Sequence, residues 1–382
     1  MKSIEQTSDK GYILGGYSKS NISGDKNENN QDTSLITPDY WIIKTDSFGN
    51  IQWQNTIGGN LDDLLYSIDQ TSDGGYILGG YSWSNISGDK TENSWGGSKD
   101  YWVVKLDTTG NIQWQNTIGG DSEDELYSIQ QTIDGGYILG GYSASGISGD
   151  KTENCWGSWD YWPVKLDMIG NIQWQSTIGG NDDDRSYSIQ QSADGGYILG
   201  GSSWSDISGN KTESSLGLID YWIVKINNSG TIQWQNAIGG DLGDEFLSLQ
   251  QTFDGGYILG GWSNSNISGD KTEDCLGHSD YWIVKLSPDT ITRIAYHQSL
   301  INNLQIFPNP SSGIFQITFP NQKTNYALEV INTLGQKVFA TQLETKNQKP
   351  ETQLNLSFLP KGIYVLKVYD GATISSNKLI IK

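Results

Sequence analysis

Four aspartates stand at one place in a repeated phrase: Asp63, Asp124, Asp184 and Asp244, spaced 61, 60 and 60 residues apart. Each follows a Gly-Gly pair and lies in an acidic link, such as Asp121–Glu125 or Asp182–Asp184. Carboxylates gathered this densely suit Ca²⁺, which takes about six to eight oxygen ligands. The same aspartates suit a simpler task, because Asp at a turn or strand end accepts backbone N–H bonds. Their spacing matches neither an EF-hand loop nor a Ca²⁺-binding nonapeptide, which favours the cap.

A second set of residues could meet a sugar. Trp83, Trp95, Trp156, Trp159, Trp204 and Trp262 fall outside the two positions at which tryptophan recurs in every repeat. Most lie in or beside long loops rich in Asp and Asn. An exposed indole stacks on the apolar face of a sugar while neighbouring polar groups bond its hydroxyls. The competing reading is loop packing, since a loop this long needs a small core of its own.

Catalytic chemistry has little support. No Ser-His-Asp set, HExxH or Cys/His metal cluster is present, and His278 and His297 have no partner by spacing. Paired carboxylates can hydrolyse glycosides, but nothing singles out one pair among 44 acidic residues. Cys155 and Cys275 occupy equivalent places two repeats apart, which predicts free thiols rather than a bridge.

These residues must be held by the repeat itself. Tyr76, Tyr137, Tyr197 and Tyr257 mark Asp-Gly-Gly-Tyr-Ile-Leu-Gly-Gly, with Tyr12 in a variant copy. A long fixed period means one supersecondary unit in tandem. In the copy from Tyr127 to Gly180, a short alternating segment leads into the Asp134-Gly135-Gly136 turn and then Tyr137–Tyr142. A long loop follows, then Asp160–Leu166, the Gly170-Asn171 turn, and the alternating Ile172–Ile178. Four antiparallel strands repeated in this way predict an all-β fold, a β-propeller of about five four-stranded blades with the last incomplete.

Trp41, Trp102, Trp162, Trp222 and Trp282 recur on the third strand, and Trp53, Trp114, Trp174 and Trp234 on the fourth. Recurrence in every unit predicts that both sets pack between blades. Pro163 replaces a Val or Ile and should interrupt the third strand of its blade. The Ile-Ser-Gly-Asp-Lys-Thr-Glu stretch of the long loops reads as a self-bonded loop, since it lacks the context of a phosphate-binding loop.

Net charge is −20, unevenly spread: residues 1–297 carry −24 and residues 298–382 carry +4. This divides the chain into a repeat domain (1–297), a linker (298–303) and a C-terminal module (304–382). The acidic part excludes nucleic acid and anionic lipid as partners. No apolar run approaches the ~20 residues of a membrane helix.

The C-terminal module shows short alternating strands and Gly/Pro turns, the pattern of a small Ig-like β-sandwich. Pro308-Asn309-Pro310, Gly313, the Asn332–Gly335 stretch, Gly362-Ile363-Tyr364 and Lys378 mark it. In these residues, segment 302–382 closely resembles the type A C-terminal sorting domain of the type IX secretion system of Bacteroidota. The repeats also look like those found in tandem in surface proteins with this domain. The resemblance implies export through the periplasm, recognition by an outer-membrane translocon, removal by a sortase-like peptidase, and release or tethering at the cell surface.

Such cargo carries an N-terminal signal peptide, and Met1 instead aligns with the start of a first strand. A chain shortened at its N-terminus is therefore expected, with the missing fourth strand upstream. The alternative is a five-bladed ring closed by Thr290–Tyr296. The resulting expectation is a secreted, non-enzymatic binding or adhesion protein, with extracellular glycans as partners and no obligatory cofactor. A purely structural surface array is the alternative, and a polysaccharide hydrolase comes third.

Overall fold

The computed structural model describes residues 1–32, 37–288, 305–318, 325–332, 337–344, 351–369 and 374–382. Every regular element among them is a β-strand. The chain divides into two units, Met1–Asp289 and Thr290–Lys382. The charge-based linker 298–303 lies outside the described residues.

The first unit is a series of antiparallel sheets, one per repeat. Blade 1 comprises Ser3–Gln6, Tyr12–Ser18, Asp39–Thr45 and Ile51–Ile57. Blade 2 comprises Asp63–Gln70, Tyr76–Ser82, Asp100–Leu106 and Ile112–Ile118. Blade 4 comprises Asp184–Gln191, Tyr197–Ser203, Asp220–Ile226 and Ile232–Ile238. Blade 5 has three described strands, Asp244–Gln251, Tyr257–Ser263 and Asp280–Leu286.

In blade 3 the third strand is split into Asp160–Tyr161 and Val164–Leu166, on either side of Pro163. Proline has no N–H to give the ladder, and the gap falls where that donor is missing. The remaining strands of this blade are Asp124–Gln131, Tyr137–Ser143 and Ile172–Gln175.

Each blade is built by local chemistry. In the Asp-Gly-Gly turn, Gly135 takes φ 84°, and Asp134 Oδ1 accepts the Gly136 N–H at 3.0 Å. The third-strand lysine then ties the turn down. Lys225 Nζ, almost fully buried, lies 2.8 Å from Asp194 Oδ2, and the same pair recurs in every blade.

The core lies between blades. Tyr40 and Ile42 of blade 1 pack with Tyr76, Leu78, Trp102 and Val104 of blade 2, and the pattern repeats along the series. Trp102, Trp162 and Trp222 are fully buried. The fourth-strand tryptophans are partly buried and set their ring edges against the next blade, as Trp53 does on Tyr76 at 5.6 Å. Large aromatics at both positions remove roughly 150–250 Å² each from water, so stacking the blades is the main source of stability.

First strands of successive blades contact one another and form the inner edge of the array. Their outward backbone N–H groups are met by side chains: Glu5 accepts from Gln70, Asp69 from Gln131, and Gln130 from Gln191. Unpaired strand edges are thereby satisfied.

Among the described residues, apolar clusters join blades 1 to 2, 2 to 3, 3 to 4 and 4 to 5, and none joins blade 5 to blade 1. The expected closing segment Thr290–Tyr296 lies outside the described residues.

The second unit is a two-sheet sandwich. One sheet pairs Gln305–Phe307, Ile314–Thr318 and Glu351–Asn355; the other runs Lys337–Glu344, Asn325–Asn332, Gly362–Tyr369, Ile374–Ile381. Phe315, Leu328, Val330, Leu366 and Val368 share its core.

Candidate ligand-binding face

The repeats vary at the exposed turn tips, such as Ser72, Ile133, Ala193 and Phe253, and again at the opposite end of the blades. After the invariant Asp63-type position come Leu64, Glu125, Arg185 and Glu245. After the second strand come Lys19, Trp83, Ala144, Trp204 and Asn264, and before the third come Pro38, Lys99, Trp159, Ile219 and Ser279. All lie at the end of the blade where the long loops enter and leave. Residues that differ between copies are released from the packing rule that fixes the others.

The structure brings these variable residues together along the inner edge of blades 2 to 4. Lys99 Nζ lies 4.7 Å from the centre of the Trp83 ring and pairs with Glu125 Oε1 at 2.5 Å and Glu123 Oε2 at 3.2 Å. Glu125 Oε2 accepts hydroxyls from Tyr127 at 2.7 Å and Tyr142 at 2.8 Å. Tyr142 meets Trp159 edge-on, with ring centres 5.1 Å apart. The Arg185 guanidinium stands 5.6 Å from Trp159 and 5.4 Å from Trp204, and it pairs with Asp183 at 2.7 Å. Trp83, Trp159 and Trp204 are each half-buried. The result is a continuous strip of indole and phenol faces interleaved with fixed charges.

Electrostatics hold the strip in one state. Burial opposes the charge on Lys99, but Glu125 and Glu123 outweigh it and raise its pKa. Burial, with Tyr142 and Glu125 alongside, pushes the Tyr127 phenol well above its ordinary value. Lys99 and Arg185 stay cationic and the tyrosines stay neutral across physiological pH.

The other tryptophans go elsewhere. Trp95 and Trp156, 45% and 58% exposed, lie on the loop turn of the following blade, against Gly149 and Gly209. Trp95 Nε1 also donates to Asp150 Oδ2 at 3.0 Å. They are loop braces, and the strip does not include them. Trp262 sits opposite Glu245 on blade 5.

Asp63, Asp124, Asp184 and Asp244 are fully buried caps. Asp124 Oδ2 accepts the Gly120 N–H at 2.7 Å and the Ser145 hydroxyl at 3.0 Å. A third-strand aspartate adjoins each one across the blade junction, with Asp124 acting electrostatically on Asp100. No group of three or more metal-binding side chains occurs among the described residues. The glycine caps take Oδ2 of each aspartate, and Oδ1 of each is buried outside these bonds.

The Gly-Asp-Lys-Thr-Glu loops bond more widely than to themselves. Lys90 Nζ donates to Thr117 Oγ1 at 2.7 Å, and Glu92 accepts the Thr117 N–H at 2.6 Å. Asp89 donates its N–H to Gly58 O of the preceding blade at 2.8 Å. The motif clamps its own fourth strand and the neighbouring blade. Cys155 and Cys275 are free, and each thiol points at two loop carbonyls.

In the C-terminal unit the motif residues have structural work. Asn309 Nδ2 donates to Lys378 O at 2.6 Å and its Oδ1 accepts the Ile380 N–H at 2.9 Å, stitching Pro308-Asn309-Pro310 to the last strand. Gly313 takes φ 100°, where a Cβ would strike the Ser357 backbone. Tyr364 donates its hydroxyl to Pro360 O at 2.8 Å, a tyrosine corner. Gly362 opens its strand and Lys378 is exposed, whereas Gly335 lies outside the described residues.

Residues 305–382 match the family model of the secretion system C-terminal sorting domain. The terminal unit is this sorting domain. A sorting domain of the type IX system marks the chain for export to the cell surface or extracellular space, and it implies contact with the secretion machinery.

No curated protein matches the chain by sequence. Among solved structures, PorZ, an essential surface component of the type IX secretion system of Porphyromonas gingivalis, is similar at 11% identity and TM-score 0.35. That likeness covers 99% of this chain and 51% of PorZ, so the chain spans about half of PorZ's length. A fungal alcohol oxidase of the AA5 family in complex with copper is similar at 11% identity and TM-score 0.29, covering 98% of this chain and 96% of that one. A glycoside hydrolase of family 32 from Bifidobacterium adolescentis is similar at 9% identity and TM-score 0.31, covering 98% and 74%. No described helix is long and apolar enough to cross a membrane.

Proposed function

We propose that this exported protein binds glycans through the aromatic strip on the inner edge of blades 2 to 4, without catalysis. The observation that carries the reading is the convergence of Trp83, Trp159 and Trp204 with Lys99 and Arg185 at positions where the repeats differ. Each of these partly buried indoles has Lys99 or Arg185 over its ring and leaves its remaining exposed surface to a sugar, and charges already held by partners offer directed hydrogen bonds at low ordering cost. The acids here do not suit general acid–base work. Glu125 is engaged by Lys99, Tyr127 and Tyr142, and Asp183 by Arg185.

A glycan array probed with the full chain tests this. Retention of a defined set of neutral or weakly charged oligosaccharides supports it, and a blank array rejects it. Hydrolysis of a polysaccharide panel would reject the non-catalytic part.

A further inference from the structure

The long loop of each blade carries one buried lysine at a fixed place: Lys26, Lys90, Lys151, Lys211 and Lys271. Four residues on, the copies differ, with Asn30, Ser94, Cys155, Ser215 and Cys275. The side chain there donates to loop carbonyls in every copy. Asn30 does so through its amide, from Nδ2 to Ser18 O at 2.7 Å and to Thr37 O at 3.0 Å. Asparagine alone among these residues also brings an acyl carbon to the place.

Lys26 is turned toward that amide. Lys90 and Lys151 donate to fourth-strand threonines, Thr117 at 2.7 Å and Thr177 at 2.6 Å. In blade 1 the equivalent Thr56 Oγ1 is buried and has no partner among the described residues. Lys26 Nζ instead donates to Asn30 Oδ1 at 3.0 Å and to Glu28 O at 2.8 Å. Lys26 and Asn30 are each 3% exposed, and Asp39 is fully buried. Asp39 Oδ2 accepts the N–H of Gln31, next in the chain to Asn30, at 2.6 Å. Its Oδ1 is buried with no partner among the described residues. Burial raises the Asp39 carboxyl to about 7 and lowers Lys26 from its ordinary value, and each group acts electrostatically on the other. Both shifts favour a free amine beside a carboxylic acid over an ion pair.

We infer that Lys26 and Asn30 become joined by an isopeptide bond, with Asp39 relaying the proton. The uncharged Nζ attacks Asn30 Cγ, the carbon that bears the oxygen it already faces. The Nζ–Cγ bond forms, the Cγ–Nδ2 bond breaks, and the amide nitrogen leaves as ammonia. One proton passes from Nζ to the departing nitrogen by way of Asp39. No group is oxidised or reduced, and no co-reactant is consumed. In water a lysine amine is protonated at neutral pH and does not attack an amide. Here exclusion of water favours the reactive form and holds it at hydrogen-bond range of its target. Serine and cysteine at the same place in the other blades offer no acyl carbon, so the reaction belongs to blade 1.

The intact mass of the full chain, followed by a tryptic map, tests the inference. The chain should be lighter than its sequence by one ammonia, about 17 Da. Trypsin should fail to cut after Lys26, so that residues 20–44 stay one peptide carrying the whole deficit. Asn30→Ser, which installs the residue found in blades 2 and 4, should restore both the sequence mass and the cut. Asp39→Asn should also keep the ammonia, and an undiminished loss in that variant would overturn the relay. A wild-type chain at full mass, cut after Lys26, would overturn the bond itself. So would an ammonia loss that persists in Lys26→Arg, which marks Asn30 closing on its own backbone. A gain of about 1 Da at Asn30, the mark of hydrolysis by water, would overturn it too.

Discussion

Tyr101 Oη donates to the Trp162 carbonyl at 3.0 Å, with the two rings 4.9 Å apart and both side chains fully buried. This contact crosses a blade junction, and its copies make the blades one cooperative body. Tyr101→Phe should therefore cost about 1–3 kcal/mol, the penalty for stripping a buried acceptor of its donor. Tyr281→Phe in dilute solution should cost under about 0.5 kcal/mol, as for an exposed residue. Urea unfolding of the two variants compares them, and equal losses would refute the junction account.

The turn clamps give a second contrast. Lys225 is buried against Asp194, whereas Lys285 of blade 5 is 41% exposed beside Asp254. Lys225→Ala removes a buried clamp whose partner Asp194 stays 28% exposed, and should cost about 1–3 kcal/mol. Lys285→Ala should cost about 1 kcal/mol or less. Chemical denaturation separates them by midpoint.

Stability should fall as pH rises from about 4 to 8. Burial lifts Asp100 to about 8, Asp39 and Asp160 to about 7, and Asp124 to about 6. Across this window the folded chain retains protons that the unfolded chain has lost, so each unit of pH rise favours unfolding. Lys90, pushed down to about 8 by burial, acts in the opposite sense only above that pH. Asp9, lowered chiefly by its bond from Lys44, acts in the opposite sense only at strongly acid pH. Melting temperature at pH 5 should exceed that at pH 8 by several degrees, and Asp100→Asn should flatten the slope. A melting temperature that rises with pH would contradict this.

Pro163 offers a gain. In blade 4 the equivalent Ile223 is paired with Asn236, whereas Pro163 breaks the third strand. Pro163→Val should rejoin that strand and stabilise the protein by about 0.5–1.5 kcal/mol, one hydrogen bond's worth. Calorimetry of the variant checks the sign.

Much of the fold was legible in the residues. The Asp-Gly-Gly turn, the alternation of Ile172–Ile178 and the recurring tryptophans all obey local rules, and the break at Pro163 followed from a missing donor. The aromatic strip was only half legible. Six unplaced tryptophans were visible, but Trp95 and Trp156 differ from Trp159 only in where their chains turn, and that depends on contact with the next blade. Lys99, Glu125 and Arg185 carried a signal that aromatic counting missed. They occupy places at the long-loop end of the blades where the repeats diverge. The aspartate caps looked like cation ligands because sequence shows the acid and not its full burial or the glycine N–H group that bonds one of its oxygens.

The most direct measurement is glycan binding by the full chain with Trp159→Ala set beside Trp156→Ala. Both change an indole in the same long loop, three residues apart, and only Trp159 belongs to the strip. The account predicts roughly a tenfold or greater loss of affinity for Trp159→Ala, as for removal of one stacking aromatic, and affinity near wild type for Trp156→Ala. Equal losses, or a loss confined to Trp156→Ala, would contradict it.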